Sequence, residues 1–204
     1  MNSVLLDGQA ITPNKVVCVG RNYAAHIKEL GNAVPEEMVI FFKPNSAISN
    51  QLYAIKGEPL HYECELCFIA KAGKFVGVGL GLDLTKRGLQ SKLKAQGLPW
   101  ERAKSFDGAA VFSEFVSFSD ADVESLRFEL WVNNELRQEG DPRLMLNTSQ
   151  QIQEYLSSFT SLQDGDVVMT GTPAGVGVIA PGDYFQARLY QTGELKLEST
   201  WRAL

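Results

Sequence analysis

Hydrophobic and polar positions alternate with a period of two over most of the chain. Runs at 16–20, 38–43, 62–71, 74–82, 128–133, 135–139, 166–170, 184–190 and 195–201 are rich in aliphatic, aromatic and β-branched residues. Several end at turn formers such as Asn133-Asn134, and the pattern predicts strands. A helical period replaces it at two long segments only. One spans 84–96, stopped by Gly97 and Pro99; the other spans 149–159, with Ile152, Tyr155, Leu156 and Phe159 at helical spacing. Many strands and few helices, without strict alternation, predict a β-rich α+β fold rather than a βαβ array. No linker, low-complexity tract or 20–50-residue repeat divides the sequence, so residues 1–204 are expected to form one domain.

Within this pattern "HYECEL", residues 61–66, is anomalous. Strand side chains alternate faces, so Glu63 and Glu65 point one way while Tyr62, Cys64 and Leu66 point the other. A doubly negative face requires water, a proton or a cation. The run "FVGVGLGLD" sets Val76, Val78, Leu80 and Leu82 on one face and Gly77, Gly79, Gly81 and Asp83 on the other. Glycines in a strand mark close approach by a backbone or ligand. Either Asp83 then stands at a crowded site, or the glycines mark tight strand packing and Asp83 caps a helix beginning near Leu84. Taken as ligands, Glu63, Glu65 and Asp83 suit a hard divalent ion such as Mg²⁺ and exceed its charge by one. Arg87, one helical turn beyond Asp83, either offsets charge for an anionic substrate or is a solvated helix residue.

Other candidate groups are fewer. His26 and Glu29 in "RNYAAHIKELG" are three apart, so on a helix they share a face, either as a dyad able to deprotonate water or as a structural pair. His61 either orients a ligand or closes its strand. "GTPAGVG", residues 171–177, lacks the lysine of a phosphate-binding loop and either presents Thr172 to a carboxylate or simply joins two strands. Cys18, Cys64 and Cys67 sit in apolar runs and read as reduced thiols, with Cys64 and Cys67 on opposite strand faces.

With 45% hydrophobic and 21% charged residues, the 204-residue chain has a globular composition, and a net charge of −5 offers no general attraction for nucleic acid or an anionic membrane. No apolar run approaches the ~18 residues of a membrane helix, and the start of the sequence lacks a signal-peptide pattern, so the expectation is a cytoplasmic protein with a small-molecule partner.

The strings "VVCVGRNYAAHIKELG", "FFKP", "HYECEL", "GLDLTKRGLQ", "GLPWERAKSFDGAAVF", "NNELRQEGD" and "GDVVMTGTPAGVG" occur in this order across nearly the whole chain. Together they resemble the fumarylacetoacetate hydrolase family, in particular its short bacterial acylpyruvases and 2-keto acid isomerase/decarboxylases. The resemblance implies a β-rich fold with a rolled mixed sheet, a homodimer, and Mg²⁺ or Mn²⁺ held by Glu63, Glu65 and Asp83. It also implies a water-activating dyad, His26 and Glu29, on a segment that orders over substrate. Lys104 matches the active-site lysine, and Arg87, Gln90 and Thr172 match substrate contacts. Two departures stand out. A helical insertion that many relatives carry before the metal aspartate is reduced here to a turn at Ala72-Gly73-Lys74. The family's T-x-R-D string reads Thr85-Lys86-Arg87-Gly88.

The implied reaction is hydrolysis of the C–C bond of an acylpyruvate-type 2,4-diketo acid, giving pyruvate and a carboxylic acid. Oxaloacetate decarboxylation or tautomerisation, and 2-hydroxydienoate isomerisation, are rivals that pass through the same enolate chemistry. From another class, the chain could be a metal-stabilised keto acid-binding relic.

Overall fold

The computed structural model describes residues 1–204, with the side chains of Asp120 and Ala121 outside the description. A curled mixed sheet dominates, its strands ordered Val39–Pro44, Lys15–Gly20, Val167–Met169, Cys64–Lys71, Lys74–Asp83, Ala110–Phe112 and Ile48–Ser49, with Val116–Ser117 paired to Lys74–Asp83. Two of its pairings are parallel: Val167–Met169 with Lys15–Gly20, and Ile48–Ser49 with Ala110–Phe112. An antiparallel sheet follows the order Glu135–Gly140, Leu126–Val132, Tyr184–Gln191 and Glu194–Arg202. Asn133 and Asn134, both at positive φ (52° and 64°), make the tight turn of its first hairpin.

Four α-helices occur among the described residues: α1 (Ala24–Glu29), α2 (Arg87–Ala95), α3 (Glu101–Lys104) and α4 (Ser149–Ser157). The two longer ones are those expected from periodicity. α4 starts on a capping box formed by Thr148 and Gln151 and buries Ile152 and Leu156. Phe159, read above as part of its apolar face, lies past its end and is 53% exposed, packed edge-on against Tyr155. α2 begins at Arg87 with Lys86 as its cap, so Asp83 is not a helix cap but the last residue of its strand. None of these helices is long and apolar enough to cross a membrane.

The hairpin joining Cys64–Lys71 to Lys74–Asp83 turns through Ala72 and Gly73 (φ 49° and 74°). Its register shifts by one residue between Ile69 and Ala70, a bulge. The bulge changes the assignment of faces. Phe75, Val78, Leu80 and Leu82 enter the main core with Cys64, Leu66 and Phe68, whereas Val76 packs on the opposite side, contrary to its expected place beside Val78. The glycine face serves tight packing, against side chains rather than against a backbone or a ligand. A Cβ on Gly77 would meet Leu6 at 2.8 Å, one on Gly79 would meet Phe115 at 2.9 Å, and one on Gly81 would meet Phe112 at 2.7 Å. These glycines make room for the side chains of a second, smaller core containing Val16, Cys18, Cys67, Ile69, Phe115 and Met169. Cys64 and Cys67 accordingly lie in different cores as free thiols.

Candidate active site

At the open end of the smaller core, the sheet presents three acids. Glu63 occupies the one-residue break between His61–Tyr62 and Cys64–Lys71, where a continuous strand was expected. Its carbonyl accepts the Asp83 N–H at 2.8 Å, and Glu65 stands opposite Gly81. All three carboxylates therefore leave one face, with oxygens within 4.8 Å of one another, and all are buried. Burial and the neighbouring Asp83 and Glu63 raise Glu65 well above the usual carboxylate range, against the pull of the Gly171 N–H. Burial pushes Glu63 up too, but Lys104 and Arg87 outweigh it and hold Glu63 well below its ordinary value.

Three cations meet these acids. Lys104, the last residue of α3, donates to Glu63 Oε2 and Asp83 Oδ2, both at 2.7 Å, and to Thr85 Oγ1 at 2.6 Å. Burial favours the neutral amine, yet Asp83 and Glu63 prevail and raise the Lys104 pKa. Arg87 Nη2 donates to Glu63 Oε1, while Nη1 donates to Gln90 Oε1 at 2.8 Å. Arg87 reaches the site from the first residue of α2, across a strand–loop–helix connection rather than along a helix face shared with Asp83. The third cation, Lys43, was assigned no role from sequence. It is 0% exposed, lies 2.8 Å from Asp83 Oδ1, and donates to the Lys104 carbonyl. A lysine closing the apolar run Val39-Ile40-Phe41-Phe42 was the available signal.

The residues fit a hard divalent ion. Asp83 Oδ1 is buried and, despite its proximity to Lys43, has no hydrogen bond of acceptable geometry. A carboxylate oxygen carries lone pairs enough to accept an N–H and still coordinate. A cation at this position also removes the cost of crowding Glu65 against two other acids.

α1 covers the acids. His26 Nδ1 lies 3.1 Å from Glu29 Oε2, and Glu29 Oε1 accepts the Gly175 N–H at 2.9 Å. Asn22, fully buried, anchors the root of the segment to the carbonyls of Thr170 and Asn147. The glycine-rich loop thus hands amides to two carboxylates of the protein itself, from Gly171 to Glu65 (2.7 Å) and from Gly175 to Glu29. Thr172 lines the cleft, but its hydroxyl donates to the Cys64 carbonyl and accepts from Gln138, so a contact with another carboxylate falls to other atoms. His61 exchanges backbone hydrogen bonds with Thr85 and closes the strand end. The change to Gly88 is matched from elsewhere: a Cβ there would stand 3.3 Å from Glu58 Oε1, which accepts the Leu89 N–H at the start of α2.

The loop geometry gives a first expected result. Gly175 has φ +101°, and a Cβ on it would lie 1.8 Å from the Arg137 carbonyl oxygen, whereas Gly8, at φ +75°, has nothing within 4 Å. Gly8→Ala should cost only the ~1–2 kcal/mol of left-handed backbone, and Gly175→Ala distinctly more. Thermal unfolding of both variants checks this; equal losses would contradict it.

The cleft encloses about 40 Å³ and is bounded by the triad, Lys104, Arg87, Gln90, His26 and Thr172, with Arg21, Asn32, Phe41, Lys94 and Trp100 toward α1 and α2. An acidic triad faced by Lys43, Lys104 and Arg87, beside a short helix bearing a His–Glu pair, gathers titratable groups of the protein into one cleft and could hold a metal ion. A family model for the fumarylacetoacetate (FAA) hydrolase C-terminal domain matches residues 15–198, and the chain belongs to this family. It is 42% identical over 187 residues to the oxaloacetate tautomerase YcgM of Escherichia coli (strain K12), covering 83% of this chain and 85% of that protein. Identity to the mitochondrial oxaloacetate tautomerase FAHD1 of Bos taurus is 38%, over 90% of both chains. The crystal structure of fumarylpyruvate hydrolase from Pseudomonas aeruginosa in complex with Mn²⁺ and pyruvate superposes with a TM-score of 0.88 at 32% identity, over 100% of this chain and 95% of that one.

Proposed function

We propose that this protein is a divalent-metal enzyme acting on a small 2-keto acid through an enolate. Keto–enol tautomerisation of oxaloacetate is the first reading, and hydrolysis of an acylpyruvate-type 2,4-diketo acid is the second. The observation that carries it is the buried Lys104 ammonium, in contact with both Glu63 and Asp83 at the floor of the cleft. The relatives named above favour the tautomerase, and the His26–Glu29 pair, able to take a proton from carbon or from water, serves either reaction. Residues 1–204 act as one catalytic domain, and the family resemblance supports a homodimer.

Glu63, Glu65 and Asp83 would hold a divalent ion, Mg²⁺ or Mn²⁺. When bound, the ion supplies Lewis-acid polarisation of the 2-keto oxygen. Lys104 offsets the negative charge that grows there as an enolate develops. Arg87 takes the substrate carboxylate, and because Gln90 Oε1 already accepts from Arg87, the Gln90 NH₂ remains as a donor beside it. His26, oriented by Glu29, moves the proton: from C3 in tautomerisation, or from the attacking water in hydrolysis. The Glu29–Gly175 bond seats α1 over the cleft, in keeping with the family resemblance, which implies a segment that orders over substrate.

The test is a turnover panel of oxaloacetate, acetylpyruvate, fumarylpyruvate and a 2-hydroxydienoate with products identified. Activity should vanish on chelation and return with Mg²⁺ or Mn²⁺. Glu65→Gln, which keeps an acceptor for the Gly171 N–H but loses the charge, should abolish metal binding measured by calorimetry. Full turnover in stripped, chelated protein would sink the metal reading.

A further inference from the structure

Two cations in the cleft have no part in the reaction above. α2 carries Arg87, Gln90 and Lys94 at positions i, i+3 and i+7, one stripe along the helix, and all three line the cleft. At 1.5 Å per residue the stripe extends about 10 Å, from the acidic triad to the far end. There Lys94 has no hydrogen bond or ion pair among the described residues; its ammonium rests 4.3 Å from the centroid of the Trp100 ring. Arg21 lines the same cleft from the end of Lys15–Gly20, held at φ +56°, with Nη2 donating to Asn32 Oδ1 at 3.1 Å and its buried Nε without a partner. Burial, together with Arg21, Arg87 and Lys104, depresses Lys94 to about 8. Cations so confined lack a counter-anion, and an anionic ligand group relieves the cost.

The charges of the floor point the same way. With Glu63, Glu65 and Asp83 all ionised around a divalent ion, their three charges are matched by Lys43, Lys104 and Arg87, so the ion leaves the floor two positive charges in excess, before Arg21 and Lys94 are counted. One substrate carboxylate satisfies only part of this.

We propose that Lys94, with Arg21, binds a second carboxylate, so that the site selects dicarboxylic 2-keto acids over monocarboxylic ones. This rests on the 2-keto acid reading and names the substrate class within it. Lys94 is then a specificity-determining residue at the end of the substrate remote from the ion.

Oxaloacetate and acetylpyruvate share their first three carbons and differ at the fourth, a carboxylate in one and an acetyl carbonyl in the other; pyruvate lacks both. Calorimetric titration of the three into Mg²⁺-loaded wild type, Lys94→Gln, Arg21→Gln and Lys92→Gln reads binding apart from turnover. Lys92 shares the last turn of α2 with Lys94 but does not line the cleft. Lys94→Gln should weaken oxaloacetate by roughly tenfold to a hundredfold, the loss of one charge-assisted hydrogen bond, and leave acetylpyruvate and pyruvate unchanged. Arg21→Gln should act in the same direction and Lys92→Gln should do nothing. Equal weakening of all three ligands, no weakening, or a mere fall in thermal stability shared by Lys94→Gln and Lys92→Gln would overturn the proposal, the last marking a helix-end cation only. A wild type that binds oxaloacetate with this preference but never converts it would sink the reaction and keep the subsite. Turnover without any dependence of binding on Lys94 would sink the subsite alone.

Discussion

Lys104→Met should lower turnover on every 2-keto acid accepted by on the order of 10²-fold or more, as when a preorganised electrostatic group is removed. Its three N–H groups are donated to Glu63, Asp83 and Thr85, so it acts on the substrate as a fixed charge. The enolate charge that Lys104 offsets is common to tautomerisation, decarboxylation and hydrolysis, so the loss should not depend on which substrate is used. Methionine nearly keeps the length of the stem, which is buried, 3% exposed, beside Asp83. A second effect separates charge from shape. The ammonium bonds both Glu63 and Asp83 inside the protein, and removing one partner of a buried ion pair costs ~3–5 kcal/mol because the other charge is left uncompensated. A divalent ion restores positive charge at the same carboxylates, so Mg²⁺ should raise the unfolding temperature more in Lys104→Met than in wild type. Steady-state rates on oxaloacetate and acetylpyruvate, with unfolding curves at matched Mg²⁺, test both parts. Wild-type rates in the folded variant would remove Lys104 from the chemistry. Equal stabilisation by Mg²⁺ would remove it from the charge balance.

Why was the triad legible when its surroundings were not? Glu63 and Glu65 share a face by the period of a strand, a purely local property, and Asp83 follows the glycine alternation of the next strand. Even so, the two-residue turn at Ala72-Gly73 taken alone pairs Glu63 with Leu82, the wrong face. Only the bulge near Val76 slips the register so that Asp83 faces Glu63. Alternation misplaced Val76 for the same reason. The main strands and the two nine-residue helices were readable because their apolar periods are long, whereas α1 and α3, six and four residues, are too short to show one. Lys43, Gly171 and Gly175 escaped because their partners are remote in sequence: Gly175 meets Glu29 across 146 residues and Gly171 meets Glu65 across 106. The parallel strand Val167–Met169, inserted between Lys15–Gly20 and Cys64–Lys71, brings that loop to the acids, and no local pattern announces such an insertion. The seven ordered strings named the family, but not which atoms the loop would offer.

The last expected result concerns the dyad, and its geometry makes Glu29→Gln more telling than a simple deletion. Glu29 Oε2 faces His26 Nδ1 at 3.1 Å, and a carboxylate can only accept, so Nδ1 carries the proton and the other ring nitrogen is left as the base. Glutamine in the same rotamer can keep its carbonyl on the Gly175 N–H, preserving the clamp that seats α1. Its NH₂ then faces Nδ1 and favours the opposite tautomer, with the proton on the nitrogen that should act as base. A wrong tautomer with intact geometry removes general-base catalysis, and acylpyruvate hydrolysis should fall by roughly 10²–10⁴ in Glu29→Gln, as in His26→Gln. Tautomerisation, which also moves a proton, should fall with it. Oxaloacetate decarboxylation, which needs chiefly an electron sink and an oriented carboxylate, should fall least. Rates for all three reactions in wild type, His26→Gln and Glu29→Gln, with metal occupancy measured in each, decide the matter. Unchanged hydrolysis in His26→Gln would take the dyad out of the mechanism. Equal collapse of all three reactions in both variants would make the pair a device for closing α1 rather than a base.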